Sequence, residues 1–119
     1  MSAEPRSCAR RRRDTEHRLT QDVDVWVASA SAGGAPYLVP LSFDWDGEAL
    51  LVTTPTDSPT GRNLAATRTV RLELGHTSDV SMVDGEVEVL EIDALPQEQG
   101  ERFAARTGFD PRTEATPYR

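Results

Sequence analysis

The fold of this chain is decided by residues 37–54, which read YLVPLSFDWDGEALLVTT. From Tyr37 to Trp45 every second residue is large and apolar, and the residues between them are mostly smaller or polar. A period of two is typical of a β-strand with one apolar face. Asp46-Gly47 follows at once and favours a two-residue type I′ hairpin turn, because both central positions of that turn need positive φ. The stretch therefore predicts a β-hairpin.

A two-residue turn also fixes the register of the hairpin. It predicts the following pairs: Trp45 with Glu48, Phe43 with Leu50, Leu41 with Val52, and Val39 with Thr54. Because paired residues share a face, one face of the hairpin becomes a wall of the core. The other face carries Ser42 and Thr53, and we expect it to be small, polar and open enough for a flat ligand.

The residues on either side of the hairpin predict short helices and a further strand. Thr15–Asp22 is compatible with a short helix, and Val23–Ser31 is rich in β-branched and small residues, as strands are. After the hairpin, Asp57 or Ser58 is placed to cap a helix that runs to about Thr67.

The second half of the chain continues with strand-like stretches. Val70–Leu74 alternates, and Val80–Val83 and Val87–Ile92 are two more candidate strands. Asp84-Gly85 lies between these two and is either a second hairpin turn or a bulge within one long strand. Residues 94–107 predict a final helix. Five or six short strands with two short helices favour a mostly β fold, either a small barrel or a sandwich.

Length and composition indicate one small domain of 119 residues. We expect an Arg-rich disordered tail over residues 1–14 and the folded domain over residues 15–119. The net charge of −7 disfavours binding of nucleic acid by the folded part. No apolar run approaches the ~20 residues that cross a bilayer, so we expect no membrane partner. A single Cys permits no internal disulfide, and we expect a cytoplasmic protein.

Five stretches together resemble the split β-barrels of the pyridoxamine 5′-phosphate oxidase-like family. They are Ala35–Phe43, Leu51–Thr54, Ser58–Leu64, Val70–Leu72 and Val83–Glu88, in the order and at the spacing of that family. The resemblance implies a split β-barrel of the FMN-binding type. It also implies a homodimer that holds flavin mononucleotide (FMN), or alternatively the deazaflavin coenzyme F420, in clefts between its subunits.

The resemblance further implies which residues contact the cofactor. Five strand residues match positions along the flavin ring: Pro40, Leu41, Ser42, Thr53 and Thr54. Five more match the segment that holds the phosphate: Ser58, Thr60, Gly61, Arg62 and Asn63. A helix N-terminus favours an anion on physical grounds as well. No side chain stands out as a catalytic acid or base, and no second His lies at ligand spacing, so we expect no metal. We interpret four aspartates as turn and edge residues, with a calcium site as the alternative: Asp44, Asp46, Asp79 and Asp84.

Two features depart from the family pattern. Family members usually carry basic residues where this chain has Pro59 and Thr60, so Arg62 is the remaining cation nearby. A charge-assisted hydrogen bond contributes about 1.5–3 kcal/mol, so the loss of one or two predicts weaker phosphate binding. Relatives also continue past the position of Tyr118 with another strand, and we expect this final strand of the barrel to be missing here.

Three functions remain open at the level of sequence. The first is a flavin- or deazaflavin-dependent oxidoreductase that acts on a small molecule. The second is a non-catalytic module that binds the cofactor as a carrier or sensor, which the missing basic residues favour. The third is a degenerate split-barrel dimer without ligand. Arg62 is equally compatible with a solvated helix residue, and Ser58 with a plain N-cap.

Overall fold

The protein is described here by a computed structural model that covers residues 8–113. Its helices and strands are, in chain order, α1 (Cys8–Gln21), β1 (Asp24–Ala30), β2 (Pro36–Trp45), β3 (Leu50–Val52), α2 (Pro59–Thr67), β4 (Thr69–Leu74), β5 (Ser81–Glu86) and α3 (Gln97–Thr107). Short 3₁₀ helices lie at Ile92–Ala94 and Pro111–Thr113. Among these described helices, none combines the length and the apolar character that crossing a membrane would require.

The five strands form one antiparallel sheet in the order β3-β2-β1-β4-β5. The sheet curls into a half-barrel that is accompanied by three α-helices, which confirms the split β-barrel fold. The strands β3 and β5 are its two edges.

The inner face of the sheet forms the core. Its fully or largely buried members are Leu19, Val25, Val27, Phe43, Leu72 and Leu74. The predicted apolar face of β2 is confirmed, because Phe43 is fully buried and Val39, Leu41 and Trp45 pack against this cluster.

The outer face of the sheet carries an exposed group of apolar side chains. Trp26 of β1 is opposite Pro40 of β2, while Glu73 of β4 separates it from Met82 of β5. Trp26, Leu38 and Met82 are 46%, 55% and 60% exposed. We call Trp26, Leu38, Pro40 and Met82 the outer patch.

The register of the β2–β3 hairpin differs from the prediction by two residues. Trp45 pairs with Leu50 and Phe43 with Val52, so the loop is four residues long. The cause is the side chain of Asp46, whose Oδ1 accepts hydrogen bonds from the backbone N–H groups of Glu48 and Ala49 at 2.8 and 2.7 Å. Because side chains alternate with a period of two, a two-residue shift keeps the same residues on the inner face.

The helical predictions hold for the most part. Helix α2 ends at Thr67 as expected, and α3 occupies residues 97–107 of the predicted 94–107. Helix α1 begins at Cys8 instead of Thr15, so residues 8–14 of the predicted disordered tail are helical. Residues 1–7 of that tail, and the chain end at which a final strand was predicted to be missing, lie outside the described residues.

Two predictions for residues 80–92 are wrong. Asp84-Gly85 is neither a hairpin turn nor a bulge, because both residues lie within β5 and pair in regular register with Arg71 and Val70. Residues 87–91 form no strand, although the N–H of Val87 still donates to the carbonyl of Arg68 at 2.9 Å. The β4–β5 ladder ends at the pair Thr69 and Glu86 because the residues that would continue it on the β4 side, 64–68, belong to α2 and its C-cap.

Candidate cofactor site

The predicted phosphate-binding segment begins with a helix cap at Ser58, whose hydroxyl already donates and accepts hydrogen bonds within the chain. Its Oγ accepts a hydrogen bond from the N–H of Gly61 at 3.0 Å, as an N-cap does. The hydroxyl has one hydrogen, which it donates to the carbonyl of Pro55 at 2.8 Å. Thr54 Oγ1, 2.8 Å away, must therefore be the donor in its own bond to Ser58. Ser58 is thus confirmed as the N-cap of α2, and its bond to Thr54 links this helix to the residues that follow β3.

Gly61 is held against the loop that precedes the helix. A Cβ at this position would lie 2.6 Å from the carbonyl oxygen of Pro55 and 3.0 Å from that of Thr56. Both neighbours are backbone atoms, so they cannot turn aside as a flexible side chain would. This close approach is a structural reason for the glycine, independent of any ligand.

Two hydroxyl groups at the start of α2 are buried without a hydrogen-bond partner among residues 8–113. They are the Oγ1 atoms of Thr56 and Thr60, and Thr60 as a whole is only 1% exposed. Buried hydroxyls are nearly always bonded to protein or water. Next to them Arg62 is exposed, and it has no ion-pair partner in the described part of the chain. The helix start therefore combines two buried hydroxyls that are unbonded within residues 8–113 with one exposed cation.

Asn63 connects α2 to the sheet. Its Nδ2 donates to Ser29 Oγ at 3.2 Å. Ser29 lies near the C-terminal end of β1 and is only 9% exposed. This bond orients the helix over the sheet. Asn63 therefore has a structural contact at the position where the sequence predicts a cofactor contact.

The predicted ring contacts lie on different surfaces of the chain. Pro40 and Ser42 lie on the outer face, where Ser42 Oγ donates to Asp24 Oδ1 at 3.0 Å. Leu41 faces the core from β2. Thr53 and Thr54 follow β3 and, with Gly61, line a cavity under the inner face of the sheet. In a single chain these residues are thus divided between both faces of the sheet.

Sequence reasoning missed a cluster of charges at the end of β2. Asp44 alternates with the apolar residues of β2 and so belongs to the same predicted polar face as Ser42, but it is only 8% exposed. Arg102 Nη2 and Arg106 Nη1 of α3 approach its two carboxylate oxygens at 3.3 and 3.5 Å. The two arginines are four residues apart and so share one helix face. The four-residue spacing of the two arginines was the one local signal of this cluster. The sequence does not reveal that Asp44, far away along the chain, is their partner.

Two exposed carboxylates have pKa values below the ordinary value of 3.8. Hydrogen bonds from the backbone N–H groups of Ala49 and Glu48 lower the pKa of Asp46. A bidentate hydrogen bond from Arg71, at 2.7 and 2.9 Å, lowers the pKa of Asp84 and in turn raises the pKa of Arg71. Both carboxylates are therefore ionised at neutral pH. They act as fixed negative charges and not as proton donors.

Comparison with models of known protein families identifies the family of this chain. The family model for pyridoxamine 5′-phosphate oxidase matches residues 16–117, which is most of the chain. The chain belongs to this family. The match confirms the resemblance seen in the sequence and includes every residue predicted to bind the cofactor. A search of curated proteins found no match.

A solved structure supports the same fold. The structure of an F420 reductase superposes with a TM-score of 0.67 at 23% sequence identity, covering 87% of this chain and 86% of that chain. At this identity the likeness shows the fold. Membership of the pyridoxamine 5′-phosphate oxidase family relates the protein to flavin- and deazaflavin-linked oxidoreductases.

Proposed function

We propose that the protein is a flavin- or deazaflavin-dependent oxidoreductase that binds its cofactor between two subunits. The observation that carries the proposal is the family match over residues 16–117, which spans both the ring-contact strands and the capped helix. When bound, the cofactor supplies the hydride donor or acceptor for the reaction. The protein itself binds and orients the cofactor and shields it from water.

The start of α2 fits an anionic group such as a phosphate. The buried hydroxyls of Thr56 and Thr60 lack partners within the described residues, and the exposed guanidinium of Arg62 stands on the first turn of the helix. The positive end of the helix dipole points the same way. Arg62 would hold the phosphate, and the N–H of Thr60 would orient it.

The outer patch supports a second copy of the chain as the partner. Trp26, Leu38 and Met82 are large apolar side chains that water covers in the single chain. Exposed apolar groups of this kind mark interaction sites. Pro40 and Ser42, both predicted ring contacts, lie on this same face. A homodimer through the outer patch would exclude water beside them.

A titration of the purified protein with FMN and with the deazaflavin coenzyme tests the proposal. We expect saturable binding of one of them, followed by fluorescence quenching. Arg62→Gln should weaken binding about tenfold, since one charge-assisted hydrogen bond contributes about 1.5 kcal/mol or more. Arg13→Gln, which removes the same charge from the exposed surface of α1, is the control. Binding of neither coenzyme at high micromolar concentration would refute the proposal.

A second candidate is a non-catalytic module that binds the same cofactor reversibly. The geometry of the helix start supports it, because Pro59 has no N–H and the N–H of Gly61 is already bonded to Ser58. Fewer donors remain for a phosphate than at a free helix end. Steady-state reduction of a quinone or a nitro compound separates the two functions. Turnover above the rate of the free cofactor excludes the binding module.

A further inference from the structure

The concave side of the half-barrel contains an open space that the described residues 8–113 do not fill. A cavity of about 600 Å³ lies between the inner face of the sheet, α2 and the segment that follows β5. Its apolar wall consists of Trp45, Leu50, Val52, Val70, Leu72 and Val83. Apolar cavities of about 150 Å³ already take up benzene, and ligand pockets have volumes of about 300–1,000 Å³. The cavity is therefore large enough for a small organic molecule.

The topology explains why this space stays open. The edge strand β3 is only three residues long, and β5 is the other edge of the sheet. Residues 87–91, which follow β5, form no strand. The side chains of Val87, Val89 and Leu90 border the cavity and are only half-buried. Among the described residues, β3 and β5 are therefore not joined by a further strand.

The charges around the cavity are predominantly negative. Five carboxylates and one guanidinium contribute to the lining: Asp44, Asp46, Glu48, Glu86, Glu88 and Arg102. Arg102 and Arg106 both pair with Asp44, and the other four acids are exposed at the rim, so they outnumber the one excess positive charge. An anionic molecule would be repelled at the entrance, whereas a neutral or positively charged one would not.

We propose that this cavity, defined by its wall and acidic rim, is a binding site for an apolar small molecule whose polar end is neutral or positively charged. The site uses neither Arg62 nor the outer patch, but it shares Thr53, Thr54 and Gly61 with the predicted cofactor contacts. Displacement of water from about 600 Å³ of mainly apolar space drives the binding. The acidic rim then favours neutral or positively charged ligands over anions.

The two tryptophans of the chain provide a reporter and its control. Trp45 lines the cavity, whereas Trp26 lies on the opposite face of the sheet. In Trp26→Phe, the fluorescence of Trp45 should shift to shorter wavelength when 1-octanol or octylamine is added below the concentration at which it aggregates or separates from water. In Trp45→Phe, the remaining Trp26 should show no shift. A shift of equal size in both variants, or in neither, would overturn the proposal.

The charge preference is tested with ligands of matched chain length. Octylamine should bind at least tenfold more tightly than octanoate at low salt, and the ratio should fall as salt screens the rim. Equal affinities would contradict the role assigned to the acidic rim.

Filling the cavity is tested with neighbouring residues of β5. Val83→Phe places an aromatic ring in the cavity and should abolish the shift, whereas Met82→Phe adds a similar bulk on the outer face and should leave it unchanged. Circular dichroism checks that both variants fold. A chain ending at Thr113 tests whether residues 114–119 occupy the site, because Pro111 borders it. Binding that appears only in this shortened chain would overturn the proposal.

Discussion

Gly61 shows how a single position of the candidate site is fixed by packing. The backbone carbonyls of Pro55 and Thr56 approach so closely that no side chain fits between them and the helix. The same approach brings the N–H of Gly61 to Ser58 Oγ and thereby closes the cap. The helix start is therefore rigid before any cofactor binds, and the unused groups of Thr60 and Arg62 stand on a fixed base.

Gly61→Ala should destabilise the protein by about 1–3 kcal/mol, because a Cβ 2.6 Å from a carbonyl oxygen forces the loop to move. The matched control is Gly85→Ala. A Cβ on Gly85 meets no atom within 4 Å, and its φ is not positive, so this change should be neutral or slightly stabilising. Urea unfolding of both variants measures the difference. Equal midpoints would show that the close approach does not exist in solution.

At the scale of elements, Arg106 joins two helices and a strand. Its Nη2 donates to the carbonyl of Leu19 at 2.5 Å and also to that of Asp22, near the C-terminal end of α1. Its guanidinium lies 4.7 Å from the centre of the Phe43 ring. The last carbonyls of a helix have no partner within the helix, so a buried cation there satisfies them. One side chain of α3 thus holds α1 against β2.

Arg106→Gln should cost about 2–4 kcal/mol, since it leaves buried carbonyls and Asp44 with fewer partners. Arg102→Gln is the comparison, because Arg102 contacts the same carboxylate but is 45% exposed. Its loss should cost less than about 1 kcal/mol. The two free energies of unfolding can be obtained from one urea series. A larger effect at Arg102 would mean that α3 is held by the surface pair instead.

At the scale of the whole molecule, the sheet has one covered and one uncovered face. The inner face contacts the helices through residues such as Leu19, Asn63 and Arg106. The outer patch contacts water in the single chain. A stable interface buries about 800 Å² on each partner. The proposed cofactor cleft and the proposed dimer depend on the same surface.

Trp26→Glu should convert a dimer into a monomer in light scattering, because it places a charge at the centre of the outer patch. Gln97→Glu on the exposed surface of α3 adds the same charge elsewhere and should leave the dimer intact. If the cofactor site lies between subunits, Trp26→Glu should also weaken coenzyme binding. A wild-type chain that is monomeric at every concentration would refute the interface.

Local signals in the sequence determined β2 and its inner face, and they placed the cap of α2 to within one residue. The alternation from Tyr37 to Trp45 predicted the inner face correctly even though the register was wrong by two residues, because a period of two survives such a shift. The cap at Ser58 was also predictable, because its partners are only a few residues away. The order and spacing of the five family-like stretches were enough to predict the family correctly.

Contacts between distant residues were decided only by the tertiary structure. Asp44 contacts two arginines of α3, about sixty residues further along the chain, and Asp84-Gly85 lies inside a strand because β4 pairs with it. The cavity has the same origin, since it depends on where β3 and β5 end relative to each other. A one-dimensional pattern specifies which way a side chain points. It does not specify what the side chain meets, because that depends on how separate elements pack.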